Sequence, residues 1–112
     1  GRNEREWIHV SDHVRGIRLV LEKGQPGEIY NIGTGVHFSN NDLAIRIMEA
    51  MNLGQNMKSY VVDRKGHDFR YAVDSKRIAS MGFIETVDFQ TGLKDTIDWY
   101  VSNSDWWTLR KS

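Results

Sequence analysis

Short apolar runs and helical apolar stripes alternate along this chain, and this alternation restricts its fold more than any other feature. Three apolar runs predict strands, at residues 5–10, 28–33 and 60–62. Between and after them, apolar residues recur every three or four positions, which places them on one face of a helix. Strands that alternate with helices indicate an α/β fold. Three strands make a thin sheet, so we expect them to complete a larger one.

Capping residues and glycines mark the ends of the predicted helices. Ser39 and Asp42 have the spacing of a capping box, so the helix that follows Ser39 and stops at Gly54 is the strongest of these predictions. Three further helices are expected. One is capped by Ser11-Asp12 and ended by Gly24 and Pro26, and one is capped by Asp74 and ended by Gly82. The last runs from Asp88 on the evidence of its apolar pattern, with Trp106-Trp107 beyond its end. The first of these three carries an apolar stripe of Val14, Ile17, Val20 and Leu21.

Composition argues against several classes of protein. The chain has 112 residues, which suits one domain or part of one. Its 15 basic and 15 acidic side chains cancel, which argues against binding to nucleic acid or an anionic membrane. It has no cysteine, which fits the reducing cytoplasm, and no apolar run approaches the roughly 20 residues of a membrane span. Because Gly1 directly precedes a predicted strand, we interpret the chain as a segment of a longer protein.

Two motifs have part of the pattern of a cofactor site. Gly33-Thr34-Gly35 follows a predicted strand, as a dinucleotide-binding loop does, but Phe38 occupies the position of the third glycine. His9 and His13 have a spacing that suits two metal ligands on a helix, yet the predicted helix begins between them. We therefore expect a glycine-rich turn and no metal site.

A run of polar residues, Asp63 to Tyr71, follows the third predicted strand. Loops that leave strand ends in α/β proteins commonly carry ligand-binding groups. Arg5 and Arg64 offer planar forks of donors suited to phosphate oxygens, and His67 can hydrogen-bond a phosphate or a sugar hydroxyl. The amide of Asn40 can serve a ligand or the start of a helix. Spacing alone slightly favours surface ion pairs for the two arginines, with these candidate partners: Glu6, Asp63 and Asp68.

The two aspartates of the polar run, Asp63 and Asp68, suit a role in orienting the nearby cations better than a role as catalytic acids. The aromatic side chains of Trp99, Tyr100 and Trp106-Trp107 can stack on a base, but on the last helix of a domain they more often pack in the core. We expect packing.

Four blocks of the sequence, in order, resemble the C-terminal part of the nucleoside-diphosphate-sugar 4,6-dehydratases, which are extended short-chain dehydrogenase/reductases. Three blocks, at 5–13, 27–33 and 91–100, are shared with related epimerases and decarboxylases. The block that points to the dehydratase branch is Asp63-Arg64-Lys65-Gly66-His67-Asp68-Phe69-Arg70-Tyr71. Taken together, the four blocks are most similar to the dehydratases that act on dTDP-glucose. The resemblance covers nearly the whole chain.

This resemblance implies that residues 1–112 form a C-terminal, sugar-nucleotide-binding segment, while an N-terminal Rossmann domain that binds NAD lies outside the chain. In such enzymes NAD takes a hydride from the sugar C4, water is lost across C5 and C6, and the hydride returns to C6. Arg5 and Arg64 are then expected to bind the substrate diphosphate, and Asn40 and His67 to contact its nucleotide side. A homodimer is implied for the full-length enzyme.

Two departures from the family pattern limit what the resemblance implies. Lys65 stands where the family usually has proline, so this loop should be less rigid and carries an extra cation. The glycine-rich NAD loop and the Tyr-x-x-x-Lys pair are also missing, because the four tyrosines are followed four places later by Thr34, Arg64, Ser75 and Ser104. We expect the chain to bind substrate and to contribute no catalytic residue. A segment of a sugar-nucleotide 4-epimerase or decarboxylase, and a non-catalytic sugar-nucleotide-binding module, are the alternatives.

Overall fold

A three-stranded sheet and the helices around it make up the computed structural model, which describes residues 1–109. The strands are β1 (Glu4–Glu6), β2 (His37–Ser39) and β3 (Arg70–Tyr71). β1 is the central strand, antiparallel to β2 and parallel to β3. The helices are α1 (Val10–Lys23), α2 (Asn40–Ala50), α3 (Lys76–Ser80), α4 (Phe89–Ser102) and α5 (Ser104–Thr108), with a 3-10 turn at Gln55–Met57.

The predicted α/β class is confirmed, but two of the three predicted strands are wrong. Residues 28–33 and 60–62 have no regular strand structure, and Val62 is 97% exposed. A strand needs a neighbour to pair its N–H and C=O groups, and neither segment is paired within the described residues. The first strand is shorter than predicted, since it stops at Glu6. β2 and β3 were not predicted, because they are short and lack an apolar pattern.

The helix starts that depend on local capping agree well with the sequence. The Ser39 hydroxyl accepts from the N–H of Asp42, and the Asp88 carboxylate accepts from the N–H of Thr91. The first bond caps α2, as predicted, and the second caps α4, which begins where its apolar pattern predicted. α3 begins one residue later than expected, with Asp74 accepting from the N–H of Lys76. The predicted N-cap of α1 is wrong, because His9 is its N-cap and accepts from the N–H of Ser11, although the helix itself forms and ends before Gly24 as predicted.

The buried apolar side chains lie on α2, on α3 and on the segment after α3. These core side chains are Met48, Ile78 and Phe83. Gly16 lets α1 approach this core, because a Cβ at that position would lie 2.7 Å from Cγ2 of Ile32. Beside it, the rings of Phe38 and Phe89 lie 4.5 Å apart between centroids and connect β2 to α4.

One face of α1 remains exposed. Val10, Val14, Ile17 and Leu21 follow the spacing of an apolar helix stripe, yet each is at least half exposed. Soluble monomers seldom leave such a stripe uncovered. We therefore expect the isolated chain to self-associate, and we expect Val14→Gln combined with Leu21→Gln to weaken the association in analytical ultracentrifugation. Lys23→Gln, which lies outside the stripe, should leave it unchanged. A compact, stable monomer for the unaltered chain would contradict this prediction.

Candidate functional site

Arg5 lies at the centre of the sheet and holds the polar stretch against it. Its backbone is paired with Phe38 of β2 on one side and Tyr71 of β3 on the other. The guanidinium of Arg5 donates to Nε2 of His67 at 2.7 Å, to the carbonyl of Asp68 at 2.9 Å and to the carbonyl of Glu4 at 2.6 Å. The structure therefore brings together Arg5 and His67, two of the four predicted site residues, although 62 positions separate them.

The same contacts fix the protons on His67. A guanidinium can only donate, so Nε2 of His67 accepts from Arg5 and the ring proton resides on Nδ1. Nδ1 donates to the carboxylate of Asp63 at 2.6 Å, and the side chain of His67 is only 21% exposed. The hydrogen bond from His67 is the main cause that lowers the pKa of Asp63. Asp63, His67 and Arg5 form a continuous hydrogen-bonded chain, which agrees with the orienting role expected for Asp63.

The loop from Asp63 to His67 turns at Gly66, and this turn makes the hydrogen bonds of His67 with Asp63 and Arg5 possible. Gly66 has φ +71°, a conformation in which a side chain would be strained. The turn at Lys65 and Gly66 returns the backbone so that His67 faces Asp63. Lys65 is itself exposed to solvent.

Hydrogen bonds from the side chain of Asn3 and the backbone of Glu4 anchor the end of this loop. The buried amide of Asn3 donates to the carbonyl of Asp68 at 3.3 Å, and the N–H of Glu4 donates to the carbonyl of Phe69 at 2.7 Å. On the opposite edge of β1, the N–H of Asn40 donates to the carbonyl of Asn3 at 2.9 Å. Asn3 thus links the loop to the start of α2. The sequence gave no sign of this role, because nothing but the fold places residue 3 beside residue 68.

The other two predicted site residues are near this framework but do not touch it through their side chains. The guanidinium of Arg64 is exposed and makes no hydrogen bond or ion pair with the described residues. Asn40 is half-buried at the first position of α2, and only its backbone bonds to Asn3. Both side chains have room to contact a ligand. None of the alternative ion pairs of the two arginine side chains, with the carboxylates of Glu6, Asp63 or Asp68, forms among residues 1–109.

Glu6 has a structural role that the sequence analysis missed. Burial disfavours its charge, but hydrogen bonds from the N–H groups of Gly35 and Val73 outweigh this effect and lower the pKa of Glu6. The carboxylate therefore connects the glycine-rich turn to the chain beyond β3. Gly33 makes room for it, since a Cβ there would lie 2.2 Å from Oε1 of Glu6.

The two motifs that resembled cofactor sites have structural roles here. Thr34 donates to the carbonyl of Trp7, and Phe38 packs on the ring of Phe89, so both residues of the glycine-rich motif have packing or hydrogen-bonding roles. Nδ1 of His9 caps α1 and lies 2.8 Å from the hydroxyl of Ser11. Within residues 1–109 there is no group of three His, Asp or Glu side chains that could hold a metal ion. No helix in that range is both long and apolar enough to cross a membrane.

The fold of this chain is similar to that of part of several solved nucleotide-sugar enzymes. A double mutant of DesIV, a dTDP-glucose 4,6-dehydratase from Streptomyces venezuelae crystallised with NAD, superposes with a TM-score of 0.94 at 42% identity, over 99% of this chain and 35% of that one. UDP-glucose 4-epimerase from Thermotoga maritima, crystallised with UDP-glucose, gives a TM-score of 0.83 at 29% identity, over 91% of this chain and 33% of that one. The fold is that of a part of the extended short-chain dehydrogenase/reductases.

Sequence comparison assigns the chain to one family of the extended short-chain dehydrogenase/reductases. Residues 1–96 match the family model of GDP-mannose 4,6 dehydratase, and the chain belongs to that family. The dTDP-glucose 4,6-dehydratase of Streptomyces niveus is 46% identical over 113 residues, covering 100% of this chain and 34% of that protein. The chain spans about a third of the length of the curated relatives it matches. The resemblance to sugar-nucleotide 4,6-dehydratases noted in the sequence is thereby confirmed.

Proposed function

We propose that this chain binds the diphosphate and nucleotide of a sugar nucleotide, as the C-terminal segment of an NAD-dependent dTDP-glucose 4,6-dehydratase. The observation that carries the proposal is the hydrogen-bonded chain from Asp63 through His67 to Arg5, with the exposed guanidinium of Arg64 beside it. Two guanidinium groups and an imidazole at one loop suit the oxygens of a diphosphate. The similarity to dTDP-glucose 4,6-dehydratases supports dTDP-glucose as the ligand.

In this proposal, the residues of the chain hold the substrate and none of them carries out the chemistry. Arg5 and Arg64 bind the diphosphate, while His67 and Asn40 contact the nucleotide side. The turn at Gly33-Thr34-Gly35 does not fit NAD, because the packed ring of Phe38 occupies the place of the third glycine. NAD therefore belongs to an N-terminal domain of the full-length enzyme, which converts dTDP-glucose to dTDP-4-keto-6-deoxyglucose.

Oligomeric state and location form a further part of the proposal. We place the full-length enzyme in the cytoplasm as a homodimer. The cysteine-free sequence supports a reducing compartment. The exposed apolar stripe on α1 supports contact with further protein surface.

Binding of dTDP-glucose to the chain itself tests the proposal. Isothermal titration calorimetry should detect binding, and Arg64→Ala should weaken the affinity by about tenfold, since a charge-assisted hydrogen bond contributes about 1.5 kcal/mol or more. Arg18→Ala is the matched control, because it removes an equally exposed guanidinium that pairs with Glu22 on α1. A folded chain without measurable affinity for dTDP-glucose, or an Arg18→Ala variant as impaired as Arg64→Ala, would contradict the proposal.

A sugar-nucleotide 4-epimerase is the second candidate, supported by the match to the Thermotoga maritima enzyme. Product analysis with the full-length enzyme separates the two. A 4,6-dehydratase should convert dTDP-glucose to a 4-keto-6-deoxy product, which absorbs in alkali, whereas an epimerase should yield the C4 epimer. Formation of the epimer without any 4-keto product would exclude the dehydratase.

A further inference from the structure

We infer that His67 takes up a proton when the diphosphate of a sugar nucleotide binds, and that Asp63 is the positioning residue that makes this possible. The inference rests on the proposed function, since it concerns the same loop. It starts from the hydrogen bond in which Nε2 of His67 accepts from the guanidinium of Arg5.

Protein groups occupy three of the five N–H donors of Arg5. One terminal nitrogen of Arg5 donates to Nε2 of His67 and to the carbonyl of Asp68, and the other donates to the carbonyl of Glu4. A diphosphate that binds the terminal nitrogen facing His67 must therefore replace one of the two acceptors of that nitrogen. His67 is the one that can change, because a ring nitrogen can take up a proton and become a donor, whereas a backbone carbonyl cannot.

A neutral His67 would oppose a diphosphate at this position. Its Nε2 carries a lone pair, which repels phosphate oxygens, while its proton is on the far nitrogen. Protonation of Nε2 reverses the interaction, because the imidazolium then donates to a phosphate oxygen and Arg5 is free to do the same. No bond other than N–H forms or breaks, and the proton comes from solvent.

Asp63 stabilises the protonated ring and keeps it in place. Its carboxylate accepts from Nδ1 of His67 and would remain bonded there after Nε2 gains its proton. The charged groups that contact His67 are Asp63 from its own loop and Arg5 from β1. The N–H of Arg64 also donates to Asp63, at 3.0 Å, which directs the carboxylate towards the ring. Asp63 thus acts through His67 and need not touch the ligand.

Calorimetry in buffers of different ionisation enthalpy tests the inference, with dTDP-glucose as the probe. The sugar diphosphate is preferable to dTDP, because a terminal phosphate titrates near pH 6 and would exchange protons itself. We expect an uptake of up to about one proton per ligand near pH 7.5, and an affinity that rises by up to about tenfold for each unit fall in pH.

Three variants distinguish this role from a structural one. His67→Gln should still bind, but without proton uptake. Asp63→Asn should retain a hydrogen bond to the ring yet lower the uptake measured at pH 7.5, because the imidazolium loses its counter-charge. Asp98→Asn, which removes a carboxylate paired with Lys94 on α4, should behave like the unaltered chain. Binding whose enthalpy is the same in every buffer would overturn the inference and leave the proposed function intact. A chain that does not bind dTDP-glucose would overturn both.

Discussion

Replacement of Asp12 by alanine is expected to lower the free energy of unfolding by about 2–4 kcal/mol. This is the largest loss of stability that we expect from a single substitution of a charged residue in this chain. Asp12 is 1% exposed, and its carboxylate connects α1 to the segment before α4. It accepts from the N–H and hydroxyl of Thr86, from the N–H of Val87 and from the guanidinium of Arg15. Alanine would leave these donors without a partner, and unsatisfied buried donors are costly.

Urea unfolding followed by circular dichroism at pH 7 measures this effect. Asp98→Ala is the matched control, because it removes a carboxylate of the exposed pair with Lys94, which should contribute less than about 1 kcal/mol. The loss of unfolding free energy for Asp12→Asn should lie between those for Asp12→Ala and Asp98→Ala, since the amide oxygen can still accept some of the hydrogen bonds. Equal losses for Asp12→Ala and Asp98→Ala would show that the buried network does not stabilise the fold.

The network also predicts how stability changes with pH. Burial alone would raise the pKa of Asp12, but the hydrogen bonds from Arg15, Val87 and Thr86 outweigh it and lower the pKa from 3.8 to about 2. The folded state therefore favours the ionised carboxylate. Asp12 contributes about 2 kcal/mol above roughly pH 4, and this contribution is lost as the pH falls towards 2. The difference in unfolding free energy between the unaltered chain and Asp12→Ala should shrink over the same range, and a constant difference would contradict the assignment.

Asp12 also illustrates which features of the fold can be predicted from sequence. A capping residue acts on backbone groups within three positions, so Ser39 and Asp88 mark the starts of α2 and α4 in the sequence itself. Asp12 looks like such a cap but binds residues 74 and 75 positions away. Local spacing cannot distinguish the two roles, because the partner is brought near only by the folded chain.

The strands show the same limit. An apolar run indicates a segment that prefers to be buried between other elements, and residues 28–33 and 60–62 have that character while remaining unpaired within the described residues. The strands that do form, β2 and β3, are short and polar, and each exists because β1 lies beside it. Pairing depends on a neighbour, which the sequence pattern of a single segment does not reveal.

The candidate site was predictable in its residue types and only partly in its geometry. Guanidinium and imidazole groups in a polar loop predict anion binding, which led to Arg5, Arg64 and His67. The direct contact between Arg5 and His67 could not be predicted, because it depends on the parallel pairing of β1 with β3. Asn3 and Glu6 were missed for the same reason, since both act on backbone groups that lie far away in sequence.

Replacement of Arg5 by alanine is expected to weaken the binding of dTDP-glucose by about ten- to a hundredfold, which corresponds to about 1.4–2.8 kcal/mol. The affinity loss should be larger for Arg5→Ala than for Arg64→Ala, because in the proposed binding mode the guanidinium of Arg5 both contacts the diphosphate and fixes the position of His67. Arg5→Lys should be intermediate, since lysine keeps the charge but lacks the planar fork that reaches three acceptors at once. Calorimetry gives the affinities, and circular dichroism shows whether each variant is folded.

A double-mutant cycle between Arg5→Ala and His67→Gln separates this dual role from two independent contacts. Side chains in direct contact usually show coupling energies of about 0.5–3 kcal/mol, whereas distant sites are additive. The 2.7 Å hydrogen bond between Arg5 and His67 predicts coupling. The loss of binding free energy in the double variant should therefore be smaller than the sum of the losses in the two single variants. The pair Arg18→Ala and His67→Gln should be additive, because Arg18 pairs with Glu22 on α1. Additive losses for Arg5 and His67 would mean that each binds the ligand without the other.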